Sequence, residues 1–148
     1  MNKLLCLAML LSIAACGGGG SSGDATQLED LRGNWVVVNY WAEWCKPCIR
    51  EIPELNALDR EYPDVSVLGV NYDGASGEEL QRQLTALDVQ FPTLPIDPAS
   101  QLGTPRPAVL PTTLILNPEG RLVETLVGPQ TLETLAQATG HVAAAADE

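Results

Sequence analysis

Positive charge is what this 148-residue chain has least of: 8 Lys plus Arg stand against 19 Asp plus Glu, a formal net charge of −11. Without a basic stripe to neutralise phosphates, nucleic acid is excluded as a charge-recognised partner. The same balance excludes holding an anionic lipid surface by charge alone. Histidine is nearly absent, with His141 the single example, and there are four cysteines. Tetrahedral zinc takes about four ligands, so a zinc centre is poorly supplied. No apolar run is long enough to cross a bilayer: the longest, residues 4–15, is about a dozen residues against the roughly 17–25 a spanning helix needs. There is no internal repeat and no room for a second core. What remains is 45% apolar and 18% charged, enough to pack one globular domain.

Residues 1–15 do not read as part of that domain. Lys3 gives a short positive start, and the apolar run ends in small residues, the pattern of an export signal. The closing Ile13-Ala14-Ala15-Cys16 resembles the bacterial lipobox, in which the cysteine becomes the lipidated first residue; an ordinary cleaved signal is the alternative. Gly17 rather than Asp follows, which resembles the outer-membrane sorting case of Gram-negative lipoproteins. Residues 17–23 are Gly and Ser only, a flexible tether. The expected organisation is therefore a lipoprotein signal at 1–15, lipidated Cys16 with its tether at 16–25, a domain at 26–140 and a flexible tail at 141–148. Such a protein is anchored to a membrane and faces the periplasm. Cys6 is a small hydrophobe of the signal, so Cys45 and Cys48 are the thiols left to the domain.

Leu28 and Leu31 form a short apolar patch before Gly33-Asn34 turns the chain. Residues 35–41, rich in Val, Trp and Tyr, predict a buried strand. A helix follows from about Cys45, with Ile49, Ile52, Leu55 and Leu58 at three-residue steps. Pro47 suits its first turn, whereas Pro53 predicts a kink. Tyr62-Pro63-Asp64 closes it. A strand over 65–70, a helix over 78–87 and a short strand over 91–96 come next. The Asn117-Pro118-Glu119-Gly120 turn joins strands at 112–116 and 121–127, and a last helix spans 131–139. This order predicts an α/β domain.

The chemistry concentrates in Trp44-Cys45-Lys46-Pro47-Cys48, after a strand and at the opening of a helix. A spacing of two lets the sulfurs meet across one turn and close a reversible disulfide. Cys45, at an exposed mouth near unpaired backbone N–H groups, is placed to be a thiolate nucleophile, and Cys48, one turn deeper, to resolve it. Half a metal site completed by His141 and a purely structural disulfide are the other readings of the pair. Lys46 either favours the thiolate or is merely solvated. Trp44 either shields the pair and meets partners or fills core, while Trp41 reads as packing.

Residues 39–48, Asn-Tyr-Trp-Ala-Glu-Trp-Cys-Lys-Pro-Cys, resemble the active-site segment of thioredoxins. Glu51-Ile52-Pro53-Glu54-Leu55 resembles the exported TlpA or ResA-like thiol-disulfide oxidoreductases. The likeness runs from about Leu28 to Leu135. It implies a thioredoxin-like fold, a central mixed β-sheet flanked by helices, and no cofactor beyond the two cysteines. It implies that Pro111 is a cis-proline facing the cysteines, with Leu110 and Thr112 beside it pairing an extended substrate segment; alone, Pro111 also fits the start of an edge strand. Trp44 and Pro47 would join that substrate surface. Glu51 falls where this branch carries a partly buried proton-relay glutamate, although on a helix it also reads as solvated. Asn39 replaces the buried aspartate of soluble thioredoxins.

The implied activity is reduction of disulfides in exported proteins, including cytochrome c maturation, with a membrane reductase as electron donor. A thiol peroxidase is a rival, although such enzymes usually carry Thr or Ser where this chain has Ala42. A copper-binding assembly module would need His141. A structural lipoprotein would hold an inert bond.

Overall fold

The computed structural model describes residues 28–141. The export signal, Cys16, the Gly/Ser tether and the tail beyond His141 lie outside them. The described chain begins with a 3-10 turn at Leu28–Leu31 and continues as β1 (Trp35–Trp41), α1 (Lys46–Glu61), β2 (Val65–Asn71) and α2 (Gly77–Ala86). A hairpin of β3 (Thr112–Leu116) and β4 (Leu122–Val127) and a short α3 (Leu132–Ala138) complete it.

The sheet order is β2-β1-β3-β4. β1 pairs parallel to β2, from Trp35↔Val65 to Trp41↔Asn71, and antiparallel to β3, with Asn39 opposite Thr113. A strand flanked on both sides and covered on both faces is apolar along nearly its whole length, which is why β1 lacks polar alternation, Asn39 being the exception. Six of its seven residues are buried.

Side chains nevertheless alternate between faces. Val37 joins Leu55 and Leu58 of α1, Val65 and Val67 of β2, Ile115 and Leu135 in one core. Val36, Val38 and Tyr40 join Leu68, Val70, Leu114 and Leu116 in the other, which Leu28, Leu31 and Leu102 help to cover. Gly69 in β2 makes room for the Trp41 indole: a Cβ there would lie 2.8 Å from Nε1.

Two expectations change. Residues 91–96 form no strand; a single bridge, Gly69↔Thr93, remains, because Pro92 and Pro95 have no N–H to give a ladder. α1 runs on past Pro53, which lies inside it. His141, assigned to the tail, is tied down: its ring contacts the Tyr62 ring edge-on at 4.7 Å and its Nε2 lies 3.1 Å from the Asp64 carboxylate.

Candidate active site

The parallel β1–β2 pair ends at Trp41 and Asn71, and the chain turns there into α1. Cys45 N–H donates to Ala42 O at 3.1 Å, closing a turn that presents Cys45 as the N-cap of α1. Its Sγ accepts from Cys48 N–H at 3.2 Å, in the role a Ser or Asp oxygen usually plays. Pro47 lies in the first turn, where its missing N–H has no helical partner to lose. Cys45 and Cys48 form a disulfide, S–S 2.04 Å and Cα–Cα 5.3 Å.

Lys46 and Trp44 are exposed on the rim. Trp44 is 64% exposed, and its Nε1 donates to Asp73 Oδ2 at 2.8 Å. It is not core. The cysteines are less open than the expected mouth, at 3% exposure for Cys45 and 1% for Cys48. Trp41 and Ala42 are buried with them, and Tyr72, Leu80, Leu84, Leu87 and Leu110 pack against that cluster. Of the two, Cys45 remains the more accessible.

Leu110 brings the residues expected on the substrate side close to the cysteine cluster. The Leu110–Pro111 peptide bond is cis. Pro111 is buried, its carbonyl accepts from Gly128 N–H at 2.9 Å, and Thr112 Oγ1 donates to Val109 O at 2.8 Å. Leu110, Pro111 and Thr112 thus lead from the cysteine cluster into β3.

One turn beyond Cys48, Glu51 points into the fold with 1% exposure, not into solvent. Oε2 accepts from Asn39 Nδ2 at 3.0 Å and Oε1 from Gln130 N–H at 3.0 Å. Asn39 also donates to Thr113 Oγ1 at 2.9 Å. Burial pushes the Glu51 carboxyl up to about 7, against the two hydrogen bonds, which act the other way. Glu54 serves differently, accepting from Leu132 N–H at the start of α3.

Asn39 was not read from the sequence as a partner of Glu51, nor Thr113 as a partner of Asn39. The period-two alternation of β1 could have placed Asn39 on the α1 face with Val37. Gln130 gave no signal, since it contributes a backbone N–H. Among the described residues, no group of three or more His, Cys, Asp or Glu could hold a metal ion. His141 sits by the C-terminal cap of α1, about 24 Å along the helix from the cysteines at its start.

The comparisons with known proteins agree with this geometry. The model of the AhpC/TSA family matches residues 14–125. The chain belongs to that family. Within it, the chain is 36% identical over 119 residues to the thioredoxin-like protein YneN of Bacillus subtilis, covering 78% of this chain and 69% of YneN. It is 34% identical over 115 residues to the thiol-disulfide oxidoreductase ResA of Bacillus cereus, covering 76% and 66%. The chain therefore spans about two thirds of each relative's length. Among solved structures, a DsbF homologue from Corynebacterium diphtheriae superposes with a TM-score of 0.67 at 26% identity, over 79% of this chain and 77% of that one. This AhpC/TSA member has the thioredoxin-like fold and is of the thiol-disulfide oxidoreductase type.

Proposed function

We propose that this protein is an exported, membrane-tethered reductase of disulfides in other exported proteins. The Cys45–Cys48 bond at the start of α1, with Leu110 packed on its cluster and Glu51 one turn below, is the observation that carries the reading. In the reduced enzyme the Cys45 thiolate attacks a partner disulfide, forming a mixed disulfide and releasing one partner thiolate. Cys48 then loses its proton to Glu51 and attacks the Cys45 sulfur. The Cys45–Cys48 bond re-forms, the second partner sulfur leaves, and two electrons have passed to the partner. Lys46 favours the thiolate by its charge. Trp44, Pro47, Leu110, Pro111 and Thr112 form the surface along which an extended partner segment lies.

Lipidation of Cys16 tethers the domain on the periplasmic side of a Gram-negative envelope, Gly17 favouring the outer membrane. A membrane reductase returns electrons to the pair, and apocytochrome c is one substrate class. The ResA and DsbF resemblances support the chemistry, and the sequence of residues 1–23 supports the anchor.

Cys45→Ser abolishes turnover of a disulfide substrate, and Cys48→Ser accumulates partner-linked adducts visible on non-reducing gels. Full turnover by Cys48→Ser would overturn the two-cysteine cycle. Equilibration with glutathione fixes direction: a potential near or below about −250 mV marks a reductase, and one near about −120 mV an oxidant.

A further inference from the structure

The Asn39 amide is half-used in an informative way. Both Nδ2 hydrogens are taken, by Glu51 Oε2 at 3.0 Å and Thr113 Oγ1 at 2.9 Å, while Oδ1 is buried with no partner. A carboxylate only accepts hydrogen bonds, whereas a carboxylic acid must also donate one. Glu51 Oε1 faces the Gln130 N–H, another donor. In this arrangement a protonated Glu51 has no acceptor among its hydrogen-bond partners.

A half-turn of the amide supplies one. It exchanges Oδ1 and Nδ2, so the carbonyl oxygen faces both Glu51 and Thr113. The Glu51 O–H then donates to one lone pair. The Thr113 hydroxyl, which rotates freely about its C–O bond, donates to the other. One buried amide atom is unpartnered in either orientation, the carbonyl oxygen beside the carboxylate and the NH2 beside the acid. An aspartate at position 39 could not exchange roles in this way, and an aliphatic residue could serve neither state.

We propose that Asn39 is a positioning residue that serves both protonation states of Glu51 by turning its amide, with Thr113 reversing its hydroxyl in step. It rests on the reading of Glu51 as proton relay. The proton moves only between Cys48 and Glu51, thiol becoming thiolate as carboxylate becomes acid; the amide turn moves none. The relay thus takes up a proton without losing its link to β1 and β3.

Burial and the Gln130 N–H bear on the Glu51 titration more than Asn39 does, and no charged side chain is hydrogen-bonded to it. Along α1 the charged and titratable neighbours of Glu51 are Lys46, Cys48 and Arg50 before it and Glu54 after it, with Cys45 capping the helix; Lys46 and Arg50 are exposed, and Glu54 is engaged by Leu132 N–H. β1, β3 and residues 128–131 contain no ionisable Asp, Glu, His, Lys or Arg. Tyr40 of β1 belongs to the opposite face, where it meets Asp97.

The test uses the full-length oxidised protein, in which neither sulfur titrates. The Glu51 carboxyl carbon and the Asn39 side-chain amide are followed by NMR from about pH 5 to 9, a range that brackets the Glu51 midpoint near 7. The expected result is one shared midpoint, with the NOEs from the Asn39 amide protons to Thr113 Hβ present above it and lost below it, and neither change in Glu51→Gln; an amide that shifts but keeps those NOEs overturns the proposal. An Asn39 amide that stays constant through the Glu51 titration, or that still responds in Glu51→Gln, overturns the proposal. The two readings separate cleanly: unimpaired disulfide exchange by Glu51→Gln sinks the relay, whereas a silent Asn39 amide sinks the turn.

Discussion

Consecutive residues of β1 each hold a carboxyl group, on opposite faces of the sheet. Asn39 donates to Glu51 at 3.0 Å, and Tyr40 donates to Asp97 at 2.6 Å. Burial opposes ionisation at both. At Asp97, hydrogen bonds from Tyr40, Ala99 N–H and Arg106 outweigh burial and hold the carboxyl below its ordinary value. Glu51 receives two neutral donors and no cation, and burial prevails. The comparison teaches that depth of burial and the set of donors together decide the outcome: Asp97 is partly exposed and takes hydrogen bonds from Tyr40, Ala99 and Arg106, whereas Glu51 is fully buried with two donors. Asp97, with Arg106 at 2.8 Å, is a structural anchor, and Glu51 is the acid proposed above as the proton carrier.

The largest effect that could break this contrast is on catalysis. Glu51→Gln should slow disulfide exchange on the order of 10²-fold at neutral pH, read by a stopped-flow thiol assay, and flatten the pH dependence near 7. The same pair of proteins should differ in stability. Glu51 has its folded value raised from 4.5 to about 7, so the folded state holds more protons between those limits. Its contribution is therefore most favourable below about pH 4.5 and is lost as pH rises through 7, by about 3 kcal/mol in all. Urea titrations at about pH 5 and pH 8 should show that loss in the unmutated protein and not in Glu51→Gln. The smallest effect is on the other face. Arg106→Gln should cost about 1 kcal/mol, because its ion pair is half in solvent, and leave exchange close to the unmutated rate. If Arg106→Gln slowed exchange more than Glu51→Gln, the division between anchor and proton carrier would be wrong.

Elements with one dominant local cause were legible in the sequence. The Val-rich run of β1, the three-residue steps of α1 and the Asn-Pro-Glu-Gly turn each specify their own structure, and β1 matches residue for residue. The segment 91–96 misled because its apolar content suits a strand while its prolines cannot complete one. His141 misled because its partners, Tyr62 and Asp64, are nearly eighty residues away in sequence. At the site, the cysteine spacing was visible but its burial was not. That burial comes from Leu80, Leu84, Leu87 and Leu110, which only the tertiary fold brings together. Glu51 illustrates the same limit: helical spacing permits either face, and the burial that shifts it needs Asn39 and the turn at Gln130 in place.

The Cys45 sulfur closes the opening turn of the 16-residue α1 by accepting the Cys48 amide. As a free thiolate it would lay a whole negative charge against the positive pole of that helix; joined to Cys48 it offers the pole only a weak, neutral contact. The backbone thus leans toward the open dithiol, and a favoured dithiol holds on to its electrons. A chain that is to hand them on must weaken that grip, and the apolar wall around both sulfurs, which penalises any bare charge, pulls in the needed direction.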